Sequence, residues 1–150
     1  MAPRFFGRYE HSLDAKGRVI LPARFRVQFG PQAYLSKYQD RCLALWTSDE
    51  FDKQLAEQEQ RQELGRVERN VARLWSSGSA EVDIDRQGRL AIPAYLREFA
   101  RLEVESPMLV VGTLNRVELW NPAEWALRVE PAESQLTDEY DEPPAPVVAP

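Results

Sequence analysis

The sequence predicts an α+β fold made of two pseudo-symmetric halves in one chain, each a strand hairpin followed by short helices. Two observations predict it. The stretch Asp14-Ala15-Lys16-Gly17-Arg18-Val19-Ile20-Leu21-Pro22-Ala23-Arg24-Phe25-Arg26 returns 71 residues later as Asp85-Arg86-Gln87-Gly88-Arg89-Leu90-Ala91-Ile92-Pro93-Ala94-Tyr95-Leu96-Arg97, with Asp, Gly, Arg, Pro, Ala and the last Arg in register. A second echo follows it, since Leu43-Ala44-Leu45-Trp46 and Glu50-Phe51 align with Val117-Glu118-Leu119-Trp120 and Glu124-Trp125 at an offset of 74. Matches of that density mark an internal duplication.

The first copy opens on a strand, because Tyr9, His11 and Leu13 alternate with Glu10 and Ser12, the two-residue period of a pleated chain. Ala80, Val82 and Ile84 alternate with Glu81 and Asp83 in the same way before the second copy. Asp14 and Asp85 then open a turn. Each carboxylate can accept hydrogen bonds from backbone N–H groups two or three residues on, while Gly17 and Gly88 supply the positive φ of a tight return. Val19 to Leu21, and Leu90 to Ile92, are apolar throughout and read as short buried return strands. Pro22 and Pro93 end them, since proline has no N–H for a ladder but suits the first turn of a helix. A short helix is predicted after each, with Phe25 and Phe29 inward in one copy and Leu96, Phe99 and Ala100 in the other.

Between the copies, Ala33-Tyr34-Leu35 and Leu43-Ala44-Leu45-Trp46 read as two more strands, and Thr47-Ser48-Asp49-Glu50 as a capping box for a helix with Phe51 and Leu55 inward. Glu57 to Trp75 has no counterpart of the same length. There Val67, Val71, Leu74 and Trp75 share one helical stripe after a polar run, which predicts a second central helix; Gly65 marks the junction and Ser76-Ser77-Gly78-Ser79 the loop beyond. The last 22 residues hold five prolines and the cluster Asp138-Glu139-Tyr140-Asp141-Glu142, the composition of a disordered tail. The expected divisions are a first half over 5–56, a central helical connection over 57–78, a second half over 79–128 and the tail over 129–150.

These residues resemble the MraZ family, whose hallmark is a D-x-x-x-R motif present twice in one chain. Here the motif runs from Asp14 to Arg18 and from Asp85 to Arg89, and His11-Ser12-Leu13-Asp14-Ala15-Lys16-Gly17-Arg18 followed by Leu21-Pro22-Ala23 is especially similar. The likeness covers about residues 5 to 128. The resemblance implies an AbrB-like swapped-hairpin (double-split) β-barrel that assembles into rings. It also implies a transcriptional regulator, most simply a repressor, of the bacterial division and cell-wall gene cluster, reading repeated short promoter boxes in double-stranded DNA through its Asp-x-x-x-Arg loops.

The net charge of −5 looks wrong for a nucleic-acid binder until it is divided along the chain. Residues 1–41 carry eight Lys/Arg against three acids, a net of +5, whereas Val129 to Pro150 carries six acids and no base. The body over 1–128 is then close to neutral, with a basic first half. The single cysteine, Cys42, permits no intrachain disulfide, and with one histidine no Cys/His zinc site can be assembled. No stretch reads as a signal peptide or reaches the roughly 20 apolar residues of a spanning helix. The expectation is a cytoplasmic, nucleoid-associated protein without cofactor, metal or small-molecule substrate.

The candidate DNA-binding residues are Lys16 and Arg18 in the first loop, Arg86 and Arg89 in the second, and Arg8 and Arg24 nearby; Asp14, Gly17, Asp85 and Gly88 are the candidate braces. A loop of this kind can present cations to phosphates and an Arg fork to the O6/N7 edge of guanine. Arg18 reads two ways, as a brace for the turn through Asp14 or as a DNA contact; the resemblance favours contact, with bracing as a second role. Contact at the second loop is left open, because Glu81, Asp83 and Asp85 dilute its field. His11 and Cys42 read as packing residues. Two related aspartates could share a proton as in aspartic proteases, but the Asp-Thr/Ser-Gly turn is missing and flanking cations would lower both pKa values, so catalysis is rejected. The competing reading is a protein-binding scaffold or antitoxin-like module of the same superfamily.

Overall fold

The computed structural model describes residues 2–138. The chain runs β1 (Phe5–Ser12), β2 (Arg18–Ile20), α1 (Ala23–Arg26), β3 (Gln32–Lys37), β4 (Leu43–Trp46), α2 (Ser48–Arg61) and α3 (Arg66–Gly78). It continues through β5 (Ala80–Asp83), β6 (Arg89–Ala91), α4 (Ala94–Ala100), β7 (Pro107–Leu114), β8 (Arg116–Trp120), α5 (Pro122–Arg128) and α6 (Glu133–Asp138). Pro22 and Pro93 stand at the N-caps of α1 and α4 with nearly the same φ, −52° and −53°, as a duplicated strand-stop and helix-start requires.

Six strands form one antiparallel sheet in the order β1-β7-β8-β4-β3-β5, and β2 pairs with β6 in a separate ribbon. Replacing each strand by its counterpart in the other half reverses that order without changing it. Registers agree with the symmetry: Ser12 faces Pro107 as Asp83 faces Gln32. The ribbon is its own counterpart, with Arg18 opposite Ala91, Val19 opposite Leu90 and Ile20 opposite Arg89. Each half therefore donates its first strand to the other half's ladder.

The mixed α+β character is as expected, but hydrogen bonding does not close the sheet into a barrel. End strands β1 and β5 share no ladder; β2 and β6 leave the sheet at the Asp-Gly turns and form their only ladder with each other, so neither returns along its own first strand as the expected hairpin would.

Both halves fill one core. Leu13, Val19, Leu21 and Phe25 pack in the same buried cluster as Val82, Leu90, Ile92 and Leu96, with Ile84 partly buried against it. Trp46 and Trp120 hold equivalent register positions, opposite Tyr34 and Leu109. Their indole N–H groups find different acceptors: Trp46 Nε1 donates to Ser36 Oγ and Trp120 Nε1 to Glu118 Oε1, each at 2.9 Å. Where the first half has Ser36 opposite Ala44, the second has Val111 opposite Glu118. The acceptor has crossed the ladder, and a buried donor is satisfied both times.

Thr47 caps α2, its hydroxyl accepting from the Glu50 N–H at 3.3 Å; the return half of the expected capping box is not made, because the Glu50 carboxylate accepts from Lys53 and Asn115 instead. The stripe expected on α3 divides. Trp75 is buried and stacks on Phe51 with ring centroids 5.4 Å apart, while Val67, Val71 and Leu74 face outward at 71, 44 and 65% exposure. The buried face of α3 uses Ala72, Trp75 and Gly78, with Gly78 beside the Lys37 side chain of β3. The segment read as a tail begins with a helical turn at Glu130–Ala132 and α6, all near the surface; residues 139–150 lie outside the described residues.

Candidate nucleic-acid interface

The two Asp-x-x-x-Arg loops are built alike. Asp14 Oδ1 accepts from the N–H groups of Lys16 and Arg18, both at 2.9 Å, and Oδ2 accepts from Arg18 Nε at 2.8 Å. Asp85 repeats this with Gln87 N, Arg89 N and Arg89 Nε at 2.9, 2.9 and 2.8 Å. The Gly17 and Gly88 N–H groups close each turn on their Asp carbonyl, at 3.0 and 2.9 Å, with φ of +75° and +79°, the left-handed region that favours glycine. Hydrogen bonds from the Arg18 and Arg89 backbone, chiefly, hold the Asp14 and Asp85 carboxyls below the ordinary carboxylate range.

Bracing and contact are compatible roles. In each arginine the aspartate engages Nε, and among the described residues no hydrogen bond occupies the terminal Nη nitrogens of Arg18 or Arg89. Their side chains are 29 and 28% exposed. One edge of the guanidinium is fixed while the outer fork carries no hydrogen bond among the described residues, a two-donor group of the kind that reads guanine or grips phosphate.

The ribbon sets the loops at its two ends. Leu21 N donates to Gly88 O at 2.8 Å and Ile92 N to Gly17 O at 2.9 Å, so each return strand is tied to the opposite half's turn. Arg97 of α4 lies against Gly17, and Arg26 of α1 against Gly88. Arg97 Nε is held by Ile92 O at 3.1 Å, whereas Arg26 Nε is buried without a partner. The roles of these two arginines were missed from the sequence, although the last Arg of the duplicated stretch carried the signal. Opposite Arg89 the ribbon exposes Ile20, 47% accessible.

Lys16 and Arg86 are exposed at the loop tips. Arg24 is not on a loop; its guanidinium covers the Phe6 ring at 4.3 Å and reaches Tyr9 Oη at 3.4 Å. Arg8 is exposed within β1 opposite Val111, about 20 Å along an extended chain from Asp14. His11 is half-buried beside Tyr9, ring centroids 6.5 Å apart, and Cys42 is fully buried. Among the described residues no cluster of His, Cys, Asp and Glu could hold a metal, and no helix is long and apolar enough to cross a membrane.

A family model described as "MraZ protein, putative antitoxin-like" matches the chain twice, over residues 5–73 and 76–141. The chain is 42% identical to the transcriptional regulator MraZ of Alkaliphilus oremlandii over 81% of its own length and 83% of the relative's. It is 39% identical to that of Acetivibrio thermocellus, with the same coverage, and 39% identical to that of Syntrophomonas wolfei over 89 and 92% of the two chains. A solution structure from Pyrococcus horikoshii aligns with 78% of this chain and 98% of its own at 14% identity and a TM-score of 0.34, too low to carry an argument. The class is thus a transcriptional regulator and not an enzyme. The chain belongs to the MraZ family.

Proposed function

We propose that this chain is a sequence-specific DNA-binding repressor of the bacterial division and cell-wall gene cluster. It acts as a cytoplasmic, nucleoid-associated homo-oligomer, most simply a ring, on repeated short promoter boxes. The observation that carries the reading is the braced arginine: Arg18 is fixed through Nε at 2.8 Å with its outer fork unengaged. In this reading Lys16 and Arg86 meet phosphates, Arg18 and Arg89 meet bases or phosphates, and Arg8 and Arg24 flank the path. The exchange of β1 and β5 between the halves supports a fold of the AbrB-like swapped-hairpin kind, with its sheet left open. Asp85 sits with exposed Glu81 and Asp83, which makes the second loop the weaker contact.

One loop alone would bind DNA feebly, at about 10⁻⁴ to 10⁻⁶ M at physiological salt, so useful affinity needs several first loops on one duplex. The test is Arg18→Ala, shown by circular dichroism and sedimentation to be folded and assembled. Specific binding should fall by about 1–3 kcal/mol per engaged subunit. Wild-type affinity in that variant would favour the second reading, a protein-binding scaffold or antitoxin-like module, which the acidic tail and near-neutral body support. A scaffold would also fail to show salt-sensitive retention on duplex DNA.

A further inference from the structure

A groove of about 290 Å³ opens where the end of β3 meets the α2–α3 hairpin, lined by no residue of either Asp-x-x-x-Arg loop. Its apolar lining comes from Tyr38, Trp75, Val71 and Leu74, and its cations from Lys37 and Arg61, against one acid, Glu57. Gln58, which also lines it, keeps Oε1 buried with no hydrogen-bond partner. The outer wall runs on into the exposed stripe of α3, where Val67 and, just before the helix, Leu64 are 71 and 76% accessible. Arg66, Arg69 and Arg73 flank that stripe, with Glu68 the one acid of α3. Aromatic floor, cationic rim, apolar exit and an unmet acceptor together fit an acidic peptide segment with an aromatic residue in it.

We propose that the occupant is the chain's own acidic segment, Asp138 to Glu142, with Tyr140 on the aromatic floor and the prolines and Val147-Val148 beyond it along the α3 stripe. Charge complementarity is the first support: Asp138, Glu139, Asp141 and Glu142 bracket Tyr140, opposite Lys37 and Arg61. Where the chain leaves the body is the second. Val129, the last residue before the terminal turns, packs on the same small apolar cluster as Tyr38, which lines the groove. Beyond Asp138 lie 12 residues, which span up to about 40 Å when extended, enough to follow the stripe. The Tyr140 hydroxyl or a peptide N–H can supply the donor that Gln58 Oε1 lacks. Docking there would cover apolar surface on α3 and hold four carboxylates away from the cationic loops. The inference does not rest on the DNA-binding reading.

The test uses the full-length chain with Tyr140 replaced by a benzophenone amino acid, as an equal mixture of ¹⁴N and ¹⁵N protein irradiated and mapped by mass spectrometry. Crosslinks to groove residues within isotopically uniform chains are expected. The double charge reversal Lys37→Glu with Arg61→Glu, folded by circular dichroism, should lower their yield about fivefold or more. Isotopically mixed crosslinks as frequent as uniform ones would make a second copy the donor, and crosslinks on residues 14–26 would place the segment over the first loop. Either result, or no protein crosslink at all, overturns the proposal.

Discussion

Arg97 lies so close to Gly17 that a Cβ built on the glycine would fall 2.9 Å from Arg97 Cζ. A helix of the second half thus shapes the recognition loop of the first, and its counterpart Arg26 does the same for Gly88. The two are not equal, because Arg97 Nε bonds Ile92 O at 3.1 Å while Arg26 Nε has no partner. Arg97→Ala should cost about 1–2 kcal/mol of stability and weaken DNA binding without removing a DNA contact. Arg26→Ala removes a buried unpaired donor and should cost less. Urea unfolding of the two variants in parallel checks the order.

Lys16 is exposed at the loop tip and makes no side-chain bond among the described residues. Lys16→Ala should weaken all duplexes alike and flatten the dependence of log affinity on log salt by about 0.9 per bound subunit. Box preference should not change. Titrations at several salt concentrations on one promoter and one random duplex separate the two effects.

The Asp14 and Asp85 carboxyls are held low in the folded chain, first by backbone hydrogen bonds from Arg18 and Arg89. A depressed carboxyl adds stability that is fully present above its unfolded pKa, about 3.9, and is lost as pH falls below that through the lower folded value. These groups should therefore contribute no slope between pH 5 and 7 and a loss of stability below about pH 4. In the double variant Asp14→Asn with Asp85→Asn, the acid limb of a urea-midpoint profile should be shallower than in the parent.

Gly112 faces Gly7 across the β1–β7 ladder, and a Cβ on it would fall 2.7 Å from the Phe5 carbonyl carbon. Backbone cannot give way as a side-chain tip can. Gly112→Ala should destabilise by about 1–3 kcal/mol, whereas at Gly30 a Cβ meets nothing within 4 Å and the same change should be nearly neutral. Thermal unfolding of the pair decides it.

Burial pushes the Cys42 thiol well above its usual pKa, with the Glu118 carboxylate adding to the effect. The nucleophilic thiolate is therefore scarce as well as inaccessible. Native protein at pH 8 should resist iodoacetamide, and urea should release one reactive thiol per chain.

The first strands, the Asp-Gly turns, the prolines and the shared core could be read from the sequence, because strand alternation and the two offsets are local signals repeated twice. Partner choice could not. Alternation says which face of a strand is buried and is silent on which strand lies beside it, so the exchange of β1 and β5 is implied only by the family resemblance, and the open sheet came from the structure. The α3 stripe misled for a related reason. Val67, Val71 and Leu74 have the helical period of a core face, but the residues the helix buries are Ala72, Trp75 and Gly78. At the site, the aspartate brace was legible as turn chemistry; the partition of each guanidinium into a held edge and an open fork was not, since it depends on side-chain geometry that spacing does not encode.

The exchange of first strands has a consequence for how the protein is made. Phe5 pairs with Leu114 and Arg18 with Ala91, so neither β1 nor β2 finds its ladder until most of the chain has left the ribosome. Contacts this distant in sequence slow folding and leave strand edges open to other nascent chains meanwhile. An interrupted translation product would hold the first Asp-x-x-x-Arg motif without the ribbon that positions it. Such a fragment carries the recognition residues but not their arrangement, and a cell that truncates this polypeptide obtains no partial regulator.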